Sequence, residues 1–404
     1  MTVSARSERA HLVALASLPG IGPATLLACH QGLGAVASWE LLRSAPAALS
    51  APLAEAVARL AITKRTDERS ARRIIVTAAR SLEPEPVLER HEAAGLQVVV
   101  FGRPGYPDRL AADPAPPAVL FSLGSLDVLA GPAVAIVGTR NATRLGCDTA
   151  AALARELSAC GVSIVSGLAL GIDGAAHRSI VSGSESVEGL SGRPIGVVAA
   201  GLDRSYPRRH ELLHRQVASQ GALLSEAPIG APAVPWRFPA RNRLIAGLAD
   251  AVLVVESRSA GGSMLTAGEA LARDVPVLAV PGHPTSAAAA GPLDLISDGA
   301  TPVRDVEDIL LAIGMGGRSR ARPRPGSDAG DADAGLDADA RSVLSELAAN
   351  PRTLGELVLS TSLDLGAISA ALLELERRRL IVRSGAWFES AGVVAPRASA
   401  GRAR

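Results

Sequence analysis

Two hydrophobic rhythms divide the chain. From about residue 8 to 80 the apolar positions gather into short helical segments, Leu12 to Leu18, Thr25 to Cys29, Val36 to Leu42 and Leu53 to Leu60, followed by an Arg-rich helix ending at Arg80. From about 95 to 313 the pattern changes to short, wholly apolar runs alternating with helical stretches. These runs are Val98 to Phe101, Val134 to Val137, Ser163 to Ser166, Ile195 to Ala199, Ala222 to Ser225, Ala251 to Glu256 and Val275 to Val280. Strands of that kind are covered on both faces, so the expected fold is an α/β architecture with an extended Rossmann-like parallel sheet of seven strands. Its ligand crevice then lies at the carboxyl ends of the strands. Residues 316–338 are poor in large apolar side chains and read as a flexible linker. After it, Ala340 to Ala349, Thr353 to Val358 and Leu365 to Leu380 look helical and Ile381 to Phe388 reads as a hairpin, the makings of a winged helix. The expected domains are 1–83 (helical, helix-hairpin-helix or SAM-like), 84–315 (Rossmann-like) and 339–395 (winged helix).

Composition narrows the chemistry. Hydrophobic residues make up 48% of the 404 but aromatics only 2%, so Ala, Val and Leu supply the burial in many small increments. Lys plus Arg (41) balances Asp plus Glu (40), so any nucleic-acid affinity must come from a local patch. Lys64 is the only lysine; the remaining basic residues are arginines, whose planar forks suit phosphates and stacking. Cys29, Cys147 and Cys160 are widely spaced, which disfavours a disulfide framework or zinc ribbon and fits a reducing cytosol. The apolar stretch after Arg6 and Arg9 is soon broken by Pro19-Gly20, and no run reaches the ~18 residues of a membrane helix. A cytoplasmic protein is expected.

Several segments carry chemistry. After the strand ending at Val137, Gly138-Thr139-Arg140 turns into a helix, presenting free N–H groups and a positive dipole end to an anion. The G-x-G-x-x-G and G-x-x-x-x-G-K-[ST] spacings are absent, which disfavours a dinucleotide or ATP cofactor. Ser166-Gly167 opens a second glycine-rich turn in which Asp173 and His177, one helical turn apart, share a face and can pair, chiefly to fix the turn. The densest segment is Trp236-Arg237-Phe238-Pro239-Ala240-Arg241-Asn242-Arg243, with three guanidinium forks, an amide and a ring on which a base can stack. Stacking tolerates any base, so sequence-independent binding of single strands is expected there. The competing reading is a helix start whose arginines pair with Asp250 or Glu256. After the strand ending at Glu256, Gly261-Gly262-Ser263 with Thr266 forms another glycine turn suited to phosphate.

Other segments stay open or are discounted. Leu18-Pro19-Gly20-Ile21-Gly22 fits both a phosphate-gripping hairpin and an ordinary two-helix turn. Arg377, Arg378 and Arg379 fit both a DNA track and a solvated helix end. His210-Glu211-Leu212-Leu213-His214 matches H-E-x-x-H, but it sits in an α/β pattern without an evident third ligand, so no metal is expected.

The phrases Val137-Gly138-Thr139-Arg140, Ser166-Gly167-Leu168-Ala169, Gly201-Leu202-Asp203 with Tyr206-Pro207, Phe238-Pro239-Ala240-Arg241-Asn242-Arg243-Leu244-Ile245 and Gly262-Ser263 with Thr266-Ala267 resemble, in order and spacing, the DNA-processing protein A (DprA/Smf) family. The resemblance spans about Gly102 to Val303 and implies binding of single-stranded DNA, protection of incoming strands, loading of a RecA-type recombinase in natural transformation or recombination, and a homodimer. It assigns the pocket to Gly138, Thr139, Arg140, Ser166, Phe238, Arg241, Asn242, Arg243, Gly262 and Ser263; Gly167, Arg237 and Thr266 adjoin them. Departures are Thr139 where the family often has Ser, a longer Ser/Gly-rich insertion at Ser182 to Pro194, and an alanine-rich stretch at Thr285 to Ala290. No catalysis and no cofactor are expected. The rival is a Rossmann-like nucleotide phosphoribohydrolase using Glu269 and an Arg, in which the Phe238 to Arg243 segment has no place.

Overall fold

The computed structural model describes residues 4–181, 192–316, 336–349, 351–378, 380–384 and 387–390. They fall into two units, divided between residues 320 and 321.

The first unit opens with helices α1 (Ala5–Ala16), α2 (Pro23–Gln31), α3 (Ala35–Ser44), α4 (Ala51–Lys64), α5 (Glu68–Ser81) and α6 (Pro84–Ala93). Ser4 and Asp67 cap α1 and α5, each accepting a backbone N–H of the first turn. Their apolar stripes close over Trp39, Leu12, Leu15 and Leu42, all with no exposed surface. This core continues into Val98, Val100, Val119 and Phe121 of the next two strands, so the helical layer is built onto the sheet margin.

The sheet follows: β1 (Gln97–Val100), α7 (Asp108–Ala111), β2 (Val119–Gly124), β3 (Ala133–Val137), α8 (Arg144–Ala159), β4 (Ser163–Ser166), α9 (Ile172–Val181), β5 (Pro194–Val197), α10 (Glu211–Gln220), β6 (Ala222–Ser225), α11 (Arg237–Gly247), β7 (Ala251–Val254), α12 (Gly262–Leu271), β8 (Val277–Ala279), α13 (Ala290–Ser297), β9 (Thr301–Pro302) and α14 (Val306–Ala312). The spatial order is β1-β2-β6-β5-β4-β3-β7-β8-β9. From β6 to β9 every neighbour is parallel, and separate apolar clusters cover the two faces. β1 and β2 are antiparallel. The expectation of seven parallel strands is therefore corrected: among the described residues the sheet has nine, and β2 alone runs against the others, so the β1 margin is joined through antiparallel pairings. β2 follows Pro114-Ala115-Pro116-Pro117, which reads as loop, and neither β1 nor β2 joins its neighbour through a βαβ crossover.

Chain order sets the site. The chain steps from β3 through β4 and β5 to β6, then returns to place β7 against the other side of β3. The crevice of a doubly wound sheet forms at such a reversal, outside the carboxyl ends of the strands. The turns after β3 and β7 flank it.

In the second unit, helices Ala338–Ala349, Leu354–Ser360 and Leu365–Arg377 pack with strands Arg352–Thr353, Ile381–Ser384 and Trp387–Ser390. The strands form an antiparallel sheet and complete a winged helix. A capping box between Thr353 and Glu356 starts its second helix. Of the arginine triplet, Arg377 and Arg378 both bind Glu374, and Arg379 lies outside the described residues. Most of the predicted linker and residues 182–191 of the insertion lie outside them too.

Candidate nucleic-acid interface

The first glycine turn is shaped by close approach. A Cβ at Gly138 would lie 2.5 Å from Ile172 Cγ1 and 2.8 Å from the Glu256 carbonyl oxygen, so only glycine lets the chain leave β3 here. Thr139 N–H then donates to that carbonyl at 2.7 Å, which ties the turn after β3 to the turn after β7. Arg140 follows on the exposed side. Thr143 caps α8, its hydroxyl accepting the Gly146 N–H at 2.9 Å.

The turn after β4 is internal. Ser166 is buried and its hydroxyl donates to the Ile136 carbonyl at 2.7 Å, holding β4 to β3. Gly167 makes room for Arg241: a Cβ there would stand 2.4 Å from the guanidinium. Leu168 takes a left-handed conformation at φ 54°. The carboxylate of Asp173 accepts the amide N–H groups of Gly167 at 3.1 Å and Ala169 at 3.4 Å. It does not bond to His177, which is fully buried, so the expected Asp173–His177 pair is replaced by an Asp173 clamp on the turn.

Helix α11 divides its arginines between inside and outside. Arg241 is 7% exposed; it donates to the carbonyls of Gly167, at 3.0 Å, and Val197, close to the Asp173 charge. Burial pulls its pKa down to about 10 and pushes that of Asp173 up. Arg243 forms a nearly buried ion pair with Glu226 and donates to the Ala115 carbonyl at 2.6 Å. Asn242 is buried as well. Arg241, Asn242 and Arg243, expected to face a ligand, thus lie buried or nearly so, and the two arginines tie α11 to the sheet and its neighbouring loops. Their partners are neither Asp250, which pairs with Arg109, nor Glu256.

What remains at the rim is compact. Phe238 is half-buried, with the Arg140 guanidinium 5.0 Å from its ring centroid and the Tyr206 ring 5.4 Å away. Arg237 lies over the Trp236 ring at 5.0 Å, and Trp236 is 51% exposed. Gly262 is exposed at the start of α12, whereas Ser263 and Thr266 point inward and Ser263 bonds to Ser257 at 2.8 Å. Residue-level reading missed Tyr206 as a site member. Its signal was scarcity, for the chain has two tyrosines; this one, in the loop between β5 and α10, is 46% exposed.

Two discounted arrangements can be placed. His210 bonds to the Leu168 carbonyl at 2.9 Å and to Arg178 at 3.0 Å, while Glu211 pairs with Arg215. The motif thus braces the turn after β4. Glu269 is held by Arg273, which Asp113 also binds.

A doubly wound α/β sheet whose switch point carries a guanidinium and two aromatic rings, with a winged helix further along the chain, defines a class of nucleic-acid-handling protein. Residues 97–314 match the family described as DNA recombination-mediator protein A, and residues 327–385 match the DprA winged helix domain. The chain belongs to the DprA/Smf family. Protein Smf of a Synechocystis strain is 32% identical, with 92% of this chain and 96% of that protein covered. The DNA processing protein DprA of Bacillus subtilis is 39% identical, with 55% and 73% covered. The X-ray structure of DprA from Streptococcus pneumoniae superposes with a TM-score of 0.59 at 25% identity, covering 77% of this chain and 98% of that one.

Proposed function

We propose that this chain binds single-stranded DNA at the carboxyl rim of its sheet, protects incoming strands and loads a RecA-type recombinase onto them in natural transformation or recombination. It acts in the cytoplasm, as a homodimer, and breaks no bond in its ligand. The observation that carries this reading is the Arg140–Phe238–Tyr206 assembly at the switch point. A ring offers any base a face worth about 1–3 kcal/mol, and an exposed guanidinium takes a phosphate bidentately. In a chain with 41 basic and 40 acidic residues, that local patch has to supply the attraction. Gly138, Thr139, Arg237 and Gly262 complete the contact surface, and Ser166, Gly167, Arg241, Asn242, Arg243, Ser263 and Thr266 support it from below.

The test is a titration of labelled oligo-dT at several salt concentrations, beside an incubation with AMP. Affinity should fall steeply with salt and no adenine should be released. A salt-independent affinity, or adenine release abolished by Glu269→Ala, overturns the reading. Sedimentation of the free protein and a recombinase-filament assay on the bound strand check the homodimer and the loading step.

A further inference from the structure

Helix α8 begins where a Rossmann-like fold can hold a phosphate, at the switch point directly behind the first glycine turn. In this chain that place has an internal occupant. Glu256, two residues beyond the end of β7, reaches across to α8. Its carboxylate accepts the Thr143 N–H at 2.8 Å and the Thr143 hydroxyl, at the residue that caps the helix. The same carboxylate lies against Gly146, where a Cβ would come within 2.3 Å of it, so the first turn of α8 is shaped around the acid. Among the described residues no arginine within ion-pair distance neutralises it; its hydrogen-bond partners are the N–H and the hydroxyl of Thr143. The Glu256 carbonyl accepts the Thr139 N–H as well, so both ends of this residue fix the loop that carries Arg140.

We propose that Glu256 is a specificity-determining residue: its carboxylate, bonded to Thr143 beside the first turn of α8, keeps free phosphate and mononucleotides out of the crevice, leaving a polynucleotide held outside it as the ligand. Negative charge at a helix start is favourable, and a second anion brought there meets both a filled amide and like-charge repulsion. The strand-binding half rests on the function proposed above; the exclusion of phosphate does not.

The experiment uses the full chain as wild type, Glu256→Ala, Glu256→Gln and Glu256→Asp, with inorganic phosphate followed by phosphorus NMR at constant ionic strength. Phosphate should bind Glu256→Ala about tenfold or more tighter than wild type, with Glu256→Gln intermediate and Glu256→Asp like wild type. In a second arm, phosphate should compete with oligo-dT more strongly in Glu256→Ala than in wild type. If Glu256→Ala does not fold, the isosteric Glu256→Gln decides. Folded variants that bind phosphate no tighter than wild type overturn the proposal, as does a wild type that already binds it as tightly. Wild type that fails to bind oligo-dT sinks the DNA reading and leaves the phosphate arm to judge Glu256.

Discussion

Substituting Arg140 and substituting Arg243 ought to break different things. Arg140 is exposed and lies over Phe238, so Arg140→Ala should lower the salt slope of oligo-dT binding by about 0.7, one single-strand phosphate, with the melting temperature unmoved. Arg243 is locked to Glu226 in a nearly buried pair. Burial pushes the Glu226 carboxyl above its usual range although Arg243 pulls the other way, and Arg243→Ala strands that group without its partner. The expected result is a loss of about 3–5 kcal/mol in urea unfolding, with the salt slope unchanged in whatever remains folded. Phe238→Ala and Tyr206→Ala should each weaken oligo-dT binding by about 1–3 kcal/mol, read by fluorescence anisotropy. An unchanged affinity in both would move the stacking platform elsewhere.

Between elements, the contact of α9 with α10 sets a pH limit. His177 on α9 and His214 on α10 are buried, and burial lowers both pKa values from 6.5 to about 4. Unfolded, the rings take protons near 6.5; folded, they resist until about 4, so protons favour the unfolded chain. The stability they contribute is complete above about pH 6.5 and is lost as pH falls toward 4, at about 1.4 kcal/mol per pH unit per site. Urea melts of wild type and His214→Gln across that window should differ in slope by one such site, and equal slopes would place the acid sensitivity elsewhere. Element types were legible wherever apolar runs were unbroken, as in β3, β4 and β7. The glycine turns and Arg140 were legible as well, because chain direction alone puts them just past the ends of β3, β4 and β7, whereas Phe238 was marked only by being an aromatic among arginines at the start of a helix. What no local pattern reveals is which arginine turns inward. Arg241 follows Phe238 by three residues, and its partners Gly167 and Val197 lie 74 and 44 residues away in the chain. Arg243 answers to Glu226, 17 residues upstream. Burial of a charge is decided by tertiary neighbours, which single-sequence periodicity does not contain.

At the scale of the whole molecule, the helical layer and both faces of the sheet close their cores without the second unit, which has its own around Val343, Leu357 and Leu372. Residues 1–316 alone should therefore keep the circular dichroism of a folded α/β protein and bind oligo-dT within about threefold of the full chain. A collapse of either would mean that the winged helix supports the rim. The margin of the sheet at β9 has a further consequence. That strand is two residues long, both exposed, and its second residue, Pro302, has no N–H to offer. A neighbouring copy finds no ladder to extend there, so crowding along a DNA strand should produce assemblies that dissolve on dilution and leave thioflavin dark.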